Sequence, residues 1–229
     1  MNKTKQATQT ALVVGGTSGL GLLIAKGLRD QGYEVHVTGR RNLSEKGILL
    51  HTFDLTATRL PNRTKELIDM LPTINVLVYA AGYFQDGRLT DLSDKEIEEM
   101  FDVGGRGLVY FVKSVLDKQG ELDELITITS TSQWTPRQRE PVYNFVKAGA
   151  AHLSNSLAHD GRVKKVLVAG PAGMRTNFWQ GIQRDDLSDM LDPEWVSAKI
   201  IELRKGNYNY RFAKIMRQPS RVEIVETIT

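Results

Sequence analysis

Short apolar runs alternate along the chain with longer amphipathic segments. The runs hold four to eight residues and are rich in β-branched side chains, which indicates buried strands. The predicted strands span residues 11–14, 35–38, 48–53, 74–79, 125–129, 166–169 and 221–228. The predicted helices span residues 19–30, 62–70, 94–117, 142–159 and 193–204. This alternation predicts an α/β fold of three layers, with a mostly parallel sheet of about seven strands between two layers of helices.

The chain shows no break that would divide it. It has 229 residues, without an internal repeat or a Pro/Gly/Ser-rich linker, so we predict one domain over residues 1–229. Residues 1–9 are polar and are expected to be flexible. They lead into no signal-like apolar stretch, and no segment approaches 18 consecutive apolar residues. We therefore expect a soluble, cytoplasmic protein that does not interact with membranes.

Charge and cysteine content exclude some kinds of site. The formal net charge is only +3, and no run of five like charges occurs, so a nucleic-acid partner is not predicted. The absence of cysteine excludes disulfides, thiolate metal sites and a cysteine nucleophile. The four histidines form no metal-like cluster with carboxylates, so no metal site is predicted.

A glycine-rich turn joins the first predicted strand to the first predicted helix. Gly15, Gly19 and Gly21 allow a tight turn and a close approach of backbone to a ligand. The helix that follows offers free N–H groups and the positive end of its dipole to a phosphate. The turn therefore predicts a nucleotide site, with a ligand-free turn as the alternative.

Further motifs follow this turn at the ends of later strands and in one helix. They are Asp54-Leu55, Tyr79-Ala80-Ala81-Gly82, Ser130, Tyr143-x-x-x-Lys147 and the segment 171–176. In this order and spacing the chain resembles the classical short-chain dehydrogenase/reductase family from about residue 10 to 176. The resemblance implies a Rossmann-like, doubly wound fold. It also implies cofactor contacts from Gly15, Thr17, Ser18, Gly19, Leu20, Gly21, Asp54, Leu55, Ala80, Ala81, Gly82, Tyr143, Lys147, Pro171, Met174 and Thr176.

Two arginines after the second predicted strand bear on the choice of nicotinamide cofactor. A dinucleotide fold that prefers NAD normally has a carboxylate there, which holds the ribose 2′-OH. This chain has Arg40 and Arg41, and a guanidinium can grip a 2′-phosphate. We therefore predict NADP(H) in preference to NAD(H), with solvated surface charges as the alternative. Asp54 is expected either to contact the adenine ring or to act as a turn or capping residue.

Ser130, Tyr143 and Lys147 form the predicted catalytic set. Residues i and i+4 share one face of a helix, so Tyr143 and Lys147 can reach the same site. Carbonyl reduction needs a proton donor at the oxygen, and a nearby ammonium lowers the pKa of a tyrosine towards neutrality. We predict Tyr143 as general acid/base and Lys147 as the group that lowers its pKa. The resemblance implies that Ser130 positions the substrate oxygen and that Lys147 also bonds the nicotinamide ribose.

The chain departs from the family pattern at three positions. Gly104 stands where a catalytic asparagine linked to a proton-relay water is usual, Tyr79 where asparagine is usual, and Val146 where serine is usual. The leading hypothesis is an NADPH-dependent reductase of ketones or aldehydes, or the reverse alcohol dehydrogenase. The alternative is an NADP(H)-binding regulatory or scaffold protein with little catalysis, because of Gly104.

Substrate and assembly are less constrained by the sequence. The partner is expected to be a small carbonyl or alcohol compound. Trp134, Phe178 and Trp179 are expected near the mouth of the pocket, where they would suit a flat or apolar substrate, with packing as the alternative. The resemblance implies a homodimer or homotetramer formed through the helices predicted at residues 94–117 and 142–159.

Overall fold

One twisted sheet forms the centre of the protein. In the computed structural model, residues 8–179 and 185–229 are described, and within them eight strands form a single sheet. The strands are β1 (Thr10–Val14), β2 (Glu34–Gly39), β3 (Ile48–Thr52), β4 (Val76–Tyr79), β5 (Glu124–Ile128), β6 (Val166–Pro171), β7 (Tyr210–Met216) and β8 (Arg221–Ile228). Their order is β3-β2-β1-β4-β5-β6-β7-β8. Neighbours from β3 to β7 are parallel, and β8 is antiparallel to β7.

The prediction of about seven strands omitted β7. Its residues alternate between buried and half-buried positions, and arginine and lysine interrupt the apolar run. A continuous apolar run is therefore missing, although the strand pairs with β6 on one side and β8 on the other. The expectation of flexibility for residues 1–9 falls mostly outside the described residues, and β1 begins at Thr10.

Helices cover both faces of the sheet. They are α1 (Gly19–Asp30), α2 (Leu60–Met70), α3 (Asp94–Phe101), α4 (Gly107–Gln119), α5 (Pro141–Asp160) and α6 (Pro193–Leu203). Successive residues of a strand point to opposite faces, so Leu12 joins the core beneath α2, α4 and α5 while Val13 joins the core beneath α1 and α6. Among the described helices, none has the length and apolar character that a bilayer crossing requires.

The single helix predicted over residues 94–117 is interrupted. A π-helical turn, Asp102–Arg106, separates α3 from α4. The Tyr79 hydroxyl donates to the Val103 carbonyl in this turn over 2.5 Å, and a Cβ at Gly107 would overlap that hydroxyl. Tyr79 on β4 thus bonds the turn, and Gly107 at the start of α4 leaves room for the Tyr79 hydroxyl.

The strand order reverses beside β1. The chain runs outward from β1 to β2 and β3, and then returns to place β4 on the other side of β1. In parallel α/β sheets, ligands bind where such a reversal opens a crevice at the carboxyl ends of the strands. The loops that follow β1, β2, β4, β5 and β6 meet at this edge.

Candidate active site

A cavity of about 810 Å³ opens at the carboxyl edge of the sheet. All but one of the residues predicted for cofactor, catalysis or substrate line it, and they come from loops far apart in the chain. The predicted residues in the lining are Gly15, Thr17, Ser18, Gly19, Leu20, Gly21, Arg40, Arg41, Asp54, Leu55, Ala80, Ala81, Gly82, Ser130, Tyr143, Lys147, Pro171, Met174, Thr176, Phe178 and Trp179.

Trp134 is the exception. Its ring packs edge-on against Phe212, with ring centroids 5.7 Å apart, and the Lys214 ammonium lies 4.8 Å from its centroid. The indole covers Gly170 on β6, where a Cβ would meet it at 2.6 Å. Trp134 therefore packs on the sheet outside the cavity lining, which is the packing alternative given for it.

The glycine turn is built to bring backbone N–H groups together. Gly15 has a φ of +82°, which glycine adopts without strain, and its N–H bonds the Thr38 carbonyl over 3.0 Å. A side chain at Gly21 would overlap the Gly15 carbonyl. Ser18 precedes α1 and makes no side-chain capping bond, and the first turn of α1 contains no acidic residue. The helix start therefore keeps donors for a phosphate, so the turn fits a dinucleotide.

Arg40 and Arg41 lie exposed at the rim of the cavity, directly after β2. Asp54 lies at the same end, where its carboxylate accepts bonds from the Thr56 N–H at 3.0 Å and the Thr56 hydroxyl at 2.8 Å. Asp54 is therefore a turn residue, as one of its two alternatives predicted, and it also lines the cavity. Two cations and a shaped turn make this end suitable for the adenosine half of a dinucleotide phosphate.

Ser130, Tyr143 and Lys147 meet in the middle of the cavity. Lys147 is 5% exposed, its ammonium donates to the Ile128 carbonyl over 3.1 Å, and it lies 5.6 Å from the centroid of the Tyr143 ring. Burial lowers the pKa of Lys147 to about 8. Ser130 lies two residues after β5 and Tyr143 lies in the first turn of α5, so these two elements bring the three side chains together.

The pKa of Tyr143 differs from the expectation. Burial raises it, the Glu140 carboxylate raises it further, and hydrogen bonding with Ser130 and the charge of Arg137 lower it. Burial dominates, so the predicted lowering by Lys147 is not seen in the protein itself. The phenol is held protonated at neutral pH, which is the form that donates a proton.

An aromatic wall borders Tyr143. Phe84 packs edge-on against Tyr143 at 5.1 Å and against Trp179 at 5.6 Å, and Phe178 lies 6.3 Å from Phe84. The Trp179 indole N–H donates to the Met174 carbonyl over 2.9 Å, which ties the wall to the loop after β6. The Met174 carbonyl therefore already accepts a hydrogen bond from within the protein. The wall gives this half of the cavity a flat, apolar side.

Residues outside the prediction also line the cavity, and two pairs of them carry charged or polar side chains. Arg137 and Glu140 form a salt bridge of 3.1 Å beside Tyr143, and Arg217 and Gln218 reach the cavity from the connection between β7 and β8. The i,i+3 spacing of Arg137 and Glu140 just before Tyr143 is a signal that could have found the first pair. Arg217 and Gln218 directly follow β7, a strand that the sequence did not predict, so no signal placed them at the cavity.

Gly104 and Val146, two of the departures from the family pattern, contact each other. A Cβ at Gly104 would overlap the Val146 Cγ1 atom. Val146 is 3% exposed and lies one residue before Lys147 on α5. The valine thus occupies the space into which a side chain at position 104 would project, so this region is apolar and closed.

Across residues 8–179 and 185–229, no group of three or more His, Cys, Asp or Glu side chains is arranged to hold a metal ion. A family profile described as short chain dehydrogenase matches residues 9–187. The chain belongs to the short-chain dehydrogenase/reductase family. It is therefore an NAD(P)-dependent oxidoreductase with a small-molecule substrate.

Individual relatives agree with this assignment. An uncharacterized oxidoreductase of Staphylococcus epidermidis is 29% identical over 169 residues, covering 69% of this chain and 72% of that protein. The 3-oxoacyl-[acyl-carrier-protein] reductase of Rickettsia bellii is 23% identical over 87% of this chain and 83% of that protein. A short-chain dehydrogenase of Sphingobium yanoikuyae, solved in complex with NADPH, shares the fold with a TM-score of 0.76 and 18% identity, covering 85% of this chain and 83% of that chain.

Proposed function

We propose that this oxidoreductase reduces a ketone or aldehyde with NADPH, or oxidises the corresponding alcohol with NADP⁺. The observation that carries the proposal is the meeting of Ser130, Tyr143 and Lys147 in the cavity that the glycine turn also lines. The bound cofactor supplies or accepts the hydride. The protein then has to hold the carbonyl and move one proton.

Each member of the catalytic set has one role. The Ser130 hydroxyl bonds the substrate oxygen and holds it near Tyr143. The Tyr143 phenol donates its proton to that oxygen, and its raised pKa keeps this proton in place until a stronger base is presented. The Lys147 ammonium bonds the cofactor ribose, and its charge favours the phenolate that remains after the transfer.

The arginines favour the phosphorylated cofactor. Arg40 and Arg41 both line the cavity beyond β2, where a carboxylate would hold the ribose of NAD. A guanidinium can bind a phosphate through two parallel hydrogen bonds. NADP(H) is therefore the cofactor that these side chains suit.

The nature of the substrate follows from the other half of the cavity. Phe84, Phe178 and Trp179 form an apolar wall beside Tyr143, which suits a flat or apolar carbonyl compound. The reductase of Rickettsia bellii acts, by its name, on a 3-oxoacyl group, which is also a ketone. Assembly into a homodimer or homotetramer is supported by the exposed Phe101 and Phe145, which contact each other on α3 and α5.

A second candidate function rests on the contact between Gly104 and Val146. No side chain at position 104 reaches the site, so a protein that binds NADP(H) with little turnover, as a regulatory protein or scaffold, is the alternative. The two functions differ in whether the protein turns over a substrate with Tyr143 as its proton donor.

Turnover by a Tyr143→Phe variant separates these functions. The assay follows loss of NADPH absorbance with 4-nitrobenzaldehyde, cyclohexanone and ethyl acetoacetate as probes. We expect the wild type to reduce at least one probe, and the variant to lose a factor of about 10³ in kcat because its proton donor is gone. The shift in melting temperature on adding NADPH should be the same in both proteins, since the ring remains.

The chain provides a matched control. Tyr210 and Lys214 repeat the Tyr-x-x-x-Lys spacing, but they lie on β7 and outside the cavity lining. Tyr210→Phe should therefore keep wild-type turnover. Equal activity of wild type and Tyr143→Phe would overturn the proposed roles, and NADPH binding without turnover of any probe would favour the second candidate.

A further inference from the structure

A row of hydroxyl groups leads from Tyr143 to a carboxylate at the rim of the cavity. The Ser130 hydroxyl lies beside Tyr143, where it lowers the pKa of the phenol, and its Oγ donates to the Ser132 Oγ over 3.1 Å. The Ser132 Oγ donates to the Glu140 Oε2 over 2.7 Å. All four residues line the same cavity. Hydrogen bonds therefore connect Ser130, the serine beside the Tyr143 phenol, to an acidic group.

Neighbouring donors give this row a direction. The Ser132 backbone N–H donates to the Ser130 Oγ over 3.1 Å, which leaves the Ser130 proton to point at Ser132. The Arg137 Nη1 donates to the Ser132 Oγ over 2.8 Å, which leaves the Ser132 proton to point at Glu140. Each hydroxyl thus accepts from a fixed donor and donates towards Glu140. Such an ordered row is suited to proton transfer.

Arg137, at the Glu140 end of the row, is more exposed than Ser132 or than Tyr143, which is 8% exposed. Ser132 is 4% exposed, the Glu140 side chain is 13% exposed and the Arg137 side chain is 36% exposed. The buried end therefore lies at Tyr143 and the wetter end lies at Glu140 and Arg137. A proton that enters from solvent at Glu140 can reach the phenol without crossing apolar surface.

The opposite side of Tyr143 is closed to such a route through side chains. The Lys147 ammonium is buried and donates to the Ile128 carbonyl. Behind it, Val146 fills the space next to Gly104, so no polar side chain at position 104 continues from Lys147 towards solvent. The serines are thus the polar connection that these residues offer to the phenol.

We propose that Ser132 and Glu140 pass protons between solvent and Tyr143 through the Ser130 hydroxyl. The inference rests on the proposed reductase function, because it concerns how Tyr143 regains its proton. Ser132 and Glu140 do not touch the substrate. They act through Ser130 and Tyr143 by supplying the proton that Tyr143 regains.

The step balances as a transfer of one proton. In reduction, the Tyr143 O–H bond breaks as the product O–H bond forms. The Ser130 and Ser132 hydroxyls first turn from their resting direction, in which they donate towards Glu140, to donate towards Tyr143. The phenolate oxygen then takes the Ser130 proton, Ser130 takes the Ser132 proton, and Ser132 takes a proton from the Glu140 carboxyl. The carboxylate then takes one from water at the rim, and in alcohol oxidation every transfer reverses. The electron pair moves with the hydride, so the row carries no electrons.

The surrounding charges act on the phenol as well as on the row. The groups in contact with Glu140 and Tyr143 are Arg137, in the loop before α5, and Lys147, on α5 itself. The Glu140 carboxylate raises the pKa of Tyr143, and Arg137 lowers it. Protonation of Glu140 therefore removes a charge that opposes phenolate formation, which couples the two ends of the row.

The test compares Glu140→Gln and Ser132→Ala with the wild type, using NADPH and whichever of the three carbonyl probes the wild type reduces. We expect kcat to fall about tenfold or more in each variant, with KM for the probe and the NADPH-induced melting shift unchanged. The solvent deuterium isotope effect on kcat should increase, because proton delivery becomes slower. Added imidazole or formate should restore part of the kcat of Ser132→Ala and of a Glu140→Ala variant by supplying protons.

The matched control is Asp86→Asn. Asp86 follows β4 and accepts a hydrogen bond of 2.8 Å from Arg139, which lies in the loop before α5 that also holds Arg137. Asp86 lies outside the cavity lining and the row of hydroxyls. It reports on disturbance of the loop alone and should keep kcat within about twofold of the wild type. Variants with wild-type kcat, or with a reduced kcat that neither buffer raises and an unchanged isotope effect, would overturn the relay alone. Absence of turnover in the wild type would overturn the relay together with the proposed function.

Discussion

At the scale of single residues, the site depends on polar groups held away from water. Lys147 is buried, and the lowering of its pKa from 10.5 to about 8 reflects a charge that burial disfavours. The same burial keeps the Tyr143 phenol protonated. The protein thus maintains a buried cation beside a neutral acid. The buried charge is unfavourable for folding, and both groups are suited to proton transfer.

Lys147→Met should stabilise the protein at neutral pH and abolish turnover. Below about pH 8 the native state carries a buried charge that the unfolded state solvates freely, at a cost of up to about 3 kcal/mol. Between pH 8 and 10.5 the native lysine has lost its proton and the unfolded one has not, so the wild type gains stability as the pH rises.

Urea unfolding of both proteins at pH 7 and at about pH 10 measures this effect. The advantage of the variant in unfolding free energy should be about 1–3 kcal/mol at neutral pH, after loss of the bond to Ile128, and should shrink at high pH. A variant that is less stable than the wild type at neutral pH, and by the same amount at high pH, would contradict the buried-charge account.

The residues that the sequence predicted line the cavity, with the exception of Trp134, because the family motifs lie at strand ends and parallel strands end at one edge. The sequence did not predict Glu140 and Arg137, since their contacts with Ser132 depend on the path of the loop between β5 and α5. It left two alternatives for Trp134, because an aromatic residue in such a loop can turn either into the cavity or onto the sheet. Here Gly170 leaves room on the sheet.

At the scale of elements, the π-helical turn between α3 and α4 explains the unusual glycines of this region. Tyr79 bonds Val103 within the turn, and Gly107 leaves room for the Tyr79 hydroxyl. Gly104 faces Val146 on α5. The three departures from the family pattern therefore belong to one packing arrangement. Helical periodicity predicted the segment but not its interruption, because the contacts that accommodate the turn come from β4 and α5.

A double-mutant cycle on Gly104 and Val146 tests this packing. Gly104→Ala places a methyl group onto Val146 and should destabilise the protein by about 1–3 kcal/mol, less any gain from replacing a helical glycine. Val146→Ala removes the obstructing methyl groups. The double variant should be more stable than the sum of the single effects by about 1 kcal/mol, as measured by urea unfolding. Additive effects would show that the two positions do not oppose each other.

At the scale of the whole molecule, stability and chemistry lie at opposite edges of the sheet. At the amino end of β5, Glu124 forms a buried ion pair of 2.7 Å with Arg204, which also bonds Gln31 and Tyr33. This network ties α6 to the connection between α1 and β2. The carboxyl edge carries the glycine turn, the arginines and the catalytic side chains. Alternation of strands and helices in the sequence predicts this division, because ligands bind at the carboxyl ends of parallel strands.

The most direct test of the central claim, that this cavity binds NADPH for reduction, is a parallel titration with NADPH and NADH. Nicotinamide fluorescence and melting temperature are followed for the wild type and for Arg40→Ala/Arg41→Ala. A ligand that binds only the native state stabilises it by about 2.7 kcal/mol at a hundredfold excess over Kd. We predict tighter binding of NADPH than NADH by the wild type, with the difference lost in the variant. Binding of neither cofactor, or equal preference in both proteins, would contradict the account.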